Sequence, residues 1–371
     1  MKSDSEHRLG DHDGTLNVVQ GVEQPASICL GQVERIRSAR RRRLSVREYI
    51  DGILNGRRAV LAQAITVVES CRPEDAEIAQ AIIDACLPHA GDSVRVGITG
   101  VPGVGKSTFI EALGTYLTQK CRKKVAVLAI DPSSQKSRGS ILGDKTRMEK
   151  LATDDMAFIR PSPSGGSLGG ITRRTRETML LCEAAGFKNV LIETVGVGQS
   201  ETAVAGMVDC FLLLMLAGAG DELQGIKRGI MEMSDIVAIN KADGANRNAA
   251  SIARTEYGRA LHLFYPSDMG WAPKVVTCSS ANREGVSAIW ELILEHRRHM
   301  QANGLFERRR QEQARQWMYE MIEEELRARF RKDPAVLGIL QQCERSVAQG
   351  TMSSFRAAKA LLDVHQNGSG K

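Results

Sequence analysis

Residues 94–108 read VRVGITGVPGVGKST, and the reading of this stretch decides the fold. Val94, Val96 and Ile98 alternate as the side chains of a strand do, while Phe109, Ile110, Leu113 and Leu117 recur at helical spacing just beyond it. Between strand and helix, Gly100, Gly105, Lys106 and Ser107 satisfy the pattern GxxxxGK[ST] in the context where that pattern has a mechanism. The loop glycines let backbone N–H groups turn inward around a triphosphate, and the following helix presents its positive end. Lys106 is suited to reach the β and γ phosphates, and the Ser107 hydroxyl to ligate Mg²⁺. The expected cradle comprises Gly100, Pro102, Gly103, Val104, Gly105, Lys106, Ser107 and Thr108.

The base follows from a second motif. An aliphatic run at 236–239 ends in Asn240, Lys241, Ala242 and Asp243, an NKxD arrangement. Guanine presents N1–H and its 2-amino group side by side, so one carboxylate, Asp243, can accept both; adenine has no such pair. A preference for GTP of several kcal/mol, on the order of two charge-assisted hydrogen bonds, follows. Lys241 can lay its methylene stem over the base. Ser279, Ser280 and Ala281 follow the next strand, where a backbone N–H meets guanine O6. The expected ligands are therefore GTP or GDP with Mg²⁺.

Hydrolysis needs charge neutralisation and a placed water. Asp131, Asp144 and Glu193 stand at or near strand ends and, with Ser107, are the candidate metal ligands. Glu193 opens Glu193-Thr194-Val195-Gly196 where most GTPases have the aspartate of DxxG, so its longer carboxylate is expected to reach the metal through a water. Gly196 offers an N–H to the γ phosphate. Val197 then stands where a water-positioning glutamine is often found, and the nearest amide is Gln199. Unassisted hydrolysis should be slow.

Working outward, runs at 94–100, 124–131, 156–160, 190–194, 210–217, 236–241 and 275–278 alternate with helical patterns as far as residue 300. They predict an α/β fold, a doubly wound, mostly parallel P-loop GTPase sheet that binds ligands beyond its strand C-termini. Residues 1–30 are polar and aperiodic, a flexible tail. An N-terminal helical region spans 31–92, with helices at 50–69 and 73–87 forming a hairpin whose aliphatic stripes cover the flank of the G domain, residues 93–300. Residues 301–371 form a helical arm. Its helix 307–331 aligns Ala314, Trp317, Met318, Met321, Ile322 and Leu326, a stripe too thin to bury itself, so the G domain or a second subunit should cover it. Another helix is expected at 354–364.

Composition excludes other classes. The chain has 371 residues, 42% hydrophobic but only 4% aromatic, with 35 glycines, which suits aliphatic strands joined by phosphate-handling loops. Its eight cysteines lack metal-ligand or redox spacing and read as buried free thiols of a reducing compartment. The net charge of +6 is concentrated at 40–43 and 308–310 without interleaved aromatics, which favours a solvated helix face or anion-facing patch over nucleic acid. The longest apolar run, 210–219, is half a membrane span, so no membrane partner is expected. The acidic N-terminus has no apolar signal core, which points to the cytoplasm.

Three longer stretches, DPSSQKSRGSILGDKTRM (131–148), PSPSGGSLGG (161–170) and ETVGVGQSE (193–201), resemble the MeaB-like GTPases, also called ArgK or methylmalonyl-CoA mutase-associated chaperones. The likeness covers about residues 45–365. It implies a homodimeric G-protein, joined through the C-terminal arm, that guards and loads an adenosylcobalamin-dependent acyl-CoA mutase; a cobalamin adenosyltransferase is a further implied partner. It places Asp131 and Asp144 in a first switch, 193–201 in a second, and GAGDELQGIKR (218–228) in a third, with Asp221, Gln224 and Lys227 at its motif positions. Lys227 then becomes the cation brought to the transition state when a partner docks. Two other classes stay open on the residues alone. One is an ArgK-like kinase phosphorylating an amino-acid transport protein, which predicts ATP and is opposed by Asp243. The other is a nickel or cobalt metallochaperone, for which His296 and His299, one helical turn apart, are read as surface residues rather than ligands.

Overall fold

The computed structural model describes residues 43–130, 148–161, 168–194, 200–218, 228–264 and 270–368. Its centre is a sheet of seven parallel strands: β1 (Val94–Gly100), β2 (Val125–Ile130), β3 (Ala157–Arg160), β4 (Asn189–Thr194), β5 (Cys210–Leu216), β6 (Ile236–Asn240) and β7 (Lys274–Thr277). The spatial order β3-β2-β4-β1-β5-β6-β7 puts β1 where the winding changes direction, the switch point at which such sheets bind ligands. All seven expected strands are present. β5 is buried on both faces because successive side chains enter different cores: Leu212 and Leu214 join Phe109, Leu113 and Trp290, while Leu213 and Met215 join Tyr257 and Leu261. A continuous apolar run is what a doubly covered parallel strand requires.

Helices precede the sheet. α1 (Val46–Leu54) starts with a capping box in which the Glu48 N–H donates to the Ser45 hydroxyl and the Ser45 N–H to the Glu48 carboxylate. The helix expected over 50–69 is in fact two, because Asn55 ends α1 and Gly56, at φ +67°, turns the chain left-handed before α2 (Arg58–Val68). With α3 (Pro73–Cys86) the expected hairpin becomes three helices. Leu61, Ala64, Ile65 and Ile82 are buried, and α2 and α3 pack on a helix of the sheet's flank, as their stripes require, while Ala59 is exposed.

That flanking helix is α6 (Leu168–Ala184), preceded by α4 (Lys106–Thr115) and the short α5 (Glu149–Ala152). There follow α7 (Ser200–Ala205), α8 (Arg228–Glu232), α9 (Arg247–Phe264) and α10 (Val286–Ala302). The chain then runs as α11 (Leu305–Lys332), α12 (Pro334–Ala348) and α13 (Ser354–Gly368), of which α12 was not foreseen. No helix among the described residues is long and apolar enough to cross a membrane.

Three expectations about side chains need correction. Arg309 and Arg310 are not part of a solvated run: Arg309 faces Asp235 at 3.5 Å and Arg310 grips Asp209 at 2.7 Å, because α11 crosses the N-terminal edge of the sheet with that face inward. His296 is not a surface residue but 1% exposed beneath Trp271, while its helical neighbour His299 is partly exposed. Cys71 is exposed, although Cys86, Cys182, Cys210, Cys278 and Cys343 are buried as expected. On the arm, only Trp317 of the anticipated stripe docks, donating its indole N–H to the Gly206 carbonyl at 3.0 Å. Met318, Met321, Ile322 and Leu326 remain exposed.

Candidate nucleotide site

β1 hands the chain to α4 through residues 101–105. Gly100 has φ +148°, and a Cβ there would fall 2.4 Å from the Leu214 carbonyl oxygen of β5. Gly105, the N-cap of α4, has φ +95° and would place a Cβ 2.9 Å from the Asn240 amide nitrogen. Both positions combine a left-handed backbone with no room for a side chain, so the motif glycines are needed by conformation and by contact. Lys106 lies folded over the loop, its ammonium donating to the carbonyls of Gly100 at 2.8 Å and Val101 at 3.3 Å. Pro102, Gly103 and Thr108 are exposed around it, and Val104 is buried.

The metal side is built from two strands. The β1/β4 register pairs Ile98 with Glu193, which brings the end of β4 against the phosphate loop. There the Ser107 hydroxyl donates to the Glu193 carboxylate at 3.0 Å, and Glu193 is 9% exposed. Behind them the Thr194 and Thr99 hydroxyls share a hydrogen bond of 2.8 Å. Asp131, Asp144, Gly196, Val197, Gln199, Asp221, Gln224 and Lys227 lie outside the described residues. The strands that lead to them, β2, β4 and β5, are near neighbours of β1 and end at Ile130, Thr194 and Leu216.

The base side hangs from Asn240. Its amide donates to the Val104 carbonyl at 2.8 Å, and its amide oxygen accepts from the Ser280 N–H at 3.1 Å and the Ser280 hydroxyl at 2.8 Å. One side chain thus pins the phosphate loop to the loop after β7. Lys241 has φ +58°, and the Ala242 N–H donates to the Cys278 carbonyl at 3.0 Å. The Ser279 hydroxyl donates to the Asp243 carboxylate and accepts the Asn282 N–H at 3.2 Å. Ser279 itself is fixed by two backbone hydrogen bonds with Glu284, of 3.0 and 3.1 Å. The Asp243 carboxylate is therefore held in place by Ser279, and Ala281 is exposed. Burial pushes the Cys278 thiol beneath these loops up to about 12, so it stays a neutral packing group.

The spacing of the motifs did not reveal the Thr99 and Thr194 pair or the Asn240 pin. A polar residue inside an otherwise apolar strand is the signal that could have found both threonines, since each is fully or almost fully buried.

The family described as "Methylmalonyl Co-A mutase-associated GTPase MeaB" matches residues 61–335. The GTPase ArgK of Escherichia coli is 50% identical over 279 residues, covering 75% of this chain and 84% of its own. The mitochondrial methylmalonic aciduria type A homolog of Mus musculus is 44% identical over 326 residues, covering 85% and 78%. A crystal structure titled as an LAO/AO transport system kinase superposes with a TM-score of 0.69 at 40% identity, over 86% of this chain and 97% of that one. With the family match spanning residues 61–335 and relatives 44–50% identical over most of its length, the chain belongs to the MeaB family of GTPases.

Proposed function

We propose that the chain is a GTP-hydrolysing G-protein chaperone that gates the loading of adenosylcobalamin into a cobalamin-dependent acyl-CoA mutase and the protection and reactivation of that enzyme. Methylmalonyl-CoA mutase or a close relative, such as 2-hydroxyisobutyryl- or isobutyryl-CoA mutase, is the intended partner. The observation that carries this reading is the Asn240 pin, which couples the phosphate loop to the loop that aims Asp243, in a member of a mutase-associated family.

The residues suit a magnesium nucleotide. The open side of Gly103, where an added Cβ would meet nothing within 4 Å, leaves backbone N–H groups reachable by phosphates. Ser107 and Glu193 offer hard oxygen donors 3.0 Å apart, which Mg²⁺ prefers, and Asp131 and Asp144 complete the proposed set. When bound, the ion offsets charge on the phosphates. Ser107 and Glu193 would hold it, the longer glutamate through a water, and Lys106 would move from the loop carbonyls to the phosphates. Gly196 would donate its N–H to the γ phosphate, and Lys227 would supply its charge only when the mutase docks. The exposed apolar face of α11 supports a homodimer formed through the arm.

The test is GTP turnover by the purified chain with and without a cobalamin-dependent mutase. Stimulation is expected, and an unchanged rate defeats the gating role. Lys227→Ala should keep nucleotide affinity while losing the stimulation; loss of both would move Lys227 into the binding site. ATP competing equally with GTP would instead favour phosphotransfer of the kind named in the crystal-structure title.

A further inference from the structure

We infer that Cys210, Asp235 and His296 form a binding site for a zinc-class divalent cation at the N-terminal edge of the sheet, opposite the nucleotide. Cys210 is the first residue of β5, Asp235 immediately precedes the neighbouring β6, and His296 lies in the middle of α10. A sulfur, a carboxylate oxygen and a ring nitrogen from these three lie within 4.8 Å of one another. Cys210 and His296 are each 1% exposed, whereas the Asp235 side chain is 14% exposed and gives the cluster an opening.

The three groups converge, with one long contact, between His296 and Asp235, recorded among them. His296 Nε2 meets Asp235 Oδ1 in a long contact of 3.5 Å, and His296 Nδ1 is buried with no hydrogen-bond partner among the described residues. A buried imidazole with one nitrogen unpartnered and the other held by a long contact is costly, and a cation taking one of them removes part of that cost. The surroundings already orient the ligands as a metal's outer shell does. The Phe211 N–H donates to Asp235 Oδ2 at 2.8 Å and Arg309 faces the same oxygen at 3.5 Å, which leaves Oδ1 to the cluster. Trp271 packs edge-on against the His296 ring, centroids 4.9 Å apart, and donates its indole N–H to the Asp235 carbonyl at 3.0 Å.

The donor set selects the ion. One thiolate, one imidazole and one carboxylate suit Zn²⁺ and not Mg²⁺ or Ca²⁺, with the fourth place left to water. Coordination replaces the thiol proton, which leaves to solvent, and the two anionic ligands balance the ion's charge. Such a site would staple β5, β6 and α10 at the point where Arg309 of the arm docks. It is independent of the guanine reading.

The tag-free, full-length chain is incubated with zinc sulfate, desalted and analysed for metal, alongside Cys210→Ser and His296→Gln. Stoichiometric zinc and a raised Tm are expected in the wild type, with affinity at least about tenfold weaker in both variants by competition with a chromophoric chelator. Cobalt(II) supplies a second reading: the wild type should show a thiolate-to-cobalt charge-transfer band that Cys210→Ser removes. A wild type that retains no zinc and shows no such band overturns the site. So does zinc held equally by both folded variants. Should the variants fail to fold, the cobalt band must persist in Cys71→Ser, which removes the exposed thiol, and its loss there overturns the site.

Discussion

The two edges of the sheet are held together in different ways. At the C-terminal edge, hydroxyl and amide groups make hydrogen bonds around glycines: Asn240 to Val104, Ser280 twice to Asn240, Thr194 to Thr99. At the N-terminal edge, buried charges do the work. Arg95 meets Glu183 through two hydrogen bonds of 2.6 and 2.9 Å, with side-chain exposures of 5% and 1%. Arg310 of α11 grips both oxygens of Asp209 and also donates to the Gly91 and Ser93 carbonyls. The difference has a physical reason. An edge that binds a nucleotide, as proposed for this one, has to keep backbone N–H groups and a carboxylate available to a ligand. The opposite edge has only to join β1, β5 and the arm, and charged pairs with most of their donors and acceptors satisfied can do so permanently.

The largest effect should come from breaking the N-terminal edge. Glu183→Gln leaves Arg95 buried beside a neutral amide and should destabilise the chain by about 3–5 kcal/mol, read as a shift in the urea midpoint. A loss below about 1 kcal/mol would mean that Ser93 and neighbouring carbonyls satisfy Arg95 unaided. Next comes the C-terminal edge: Asp243→Asn should lower GTP affinity roughly 100-fold, about 3 kcal/mol, with little change in the urea midpoint. Xanthosine triphosphate, which has an acceptor where guanine has its amino group, should bind the variant better than the wild type. Equal loss of both nucleotides in calorimetry would show that Asp243 is structural.

A smaller effect separates the edges by pH. Burial works to raise the Glu183 carboxyl, but Arg95, Ser93 and the Gly91 N–H together hold it below its ordinary value of 4.5. A carboxyl depressed by folding contributes stability that is complete above the ordinary value and lost as pH falls through the folded value. Unfolding free energy should therefore fall on acidification below about pH 4.5, and less steeply in Glu183→Gln. Matching slopes would contradict the shift. Smallest of all, Arg308→Ala should change stability by no more than about 0.5 kcal/mol, since its i, i+4 partner Glu312 is as solvated as it is. Arg310→Ala, two positions on, should cost several times more, and equal costs would erase the contrast between docked and solvated arginines.

The C-terminal edge was legible because its residues fall into two short motifs, each confined to a few positions. The spacing of Gly100, Gly105, Lys106 and Ser107 and of Asn240 and Asp243 is what the phosphates and base of the proposed nucleotide would set, so it is written locally. The N-terminal edge was not. Its partners are distant in the chain, Arg95 from Glu183 and Asp209 from Arg310, and no short pattern links them. The arm shows the same limit. Its aligned apolar residues pointed to a face covered by the G domain or a second subunit, and the face that docks on the G domain carries instead Phe306, Arg310, Gln313 and Trp317, a mixture without hydrophobic period.

The amino-acid sequence by itself determined the parallel sheet and singled out the GxxxxGK[ST] and NKxD motifs at its C-terminal edge, because strand periodicity and motif spacing both act over a few residues. It could not assign which arginines would be buried, where the first helix would break, or that a cysteine, an aspartate and a histidine would meet under β5. Those outcomes depend on which distant segments share a sheet edge, and burial changes what a charged side chain costs only after the edge has closed.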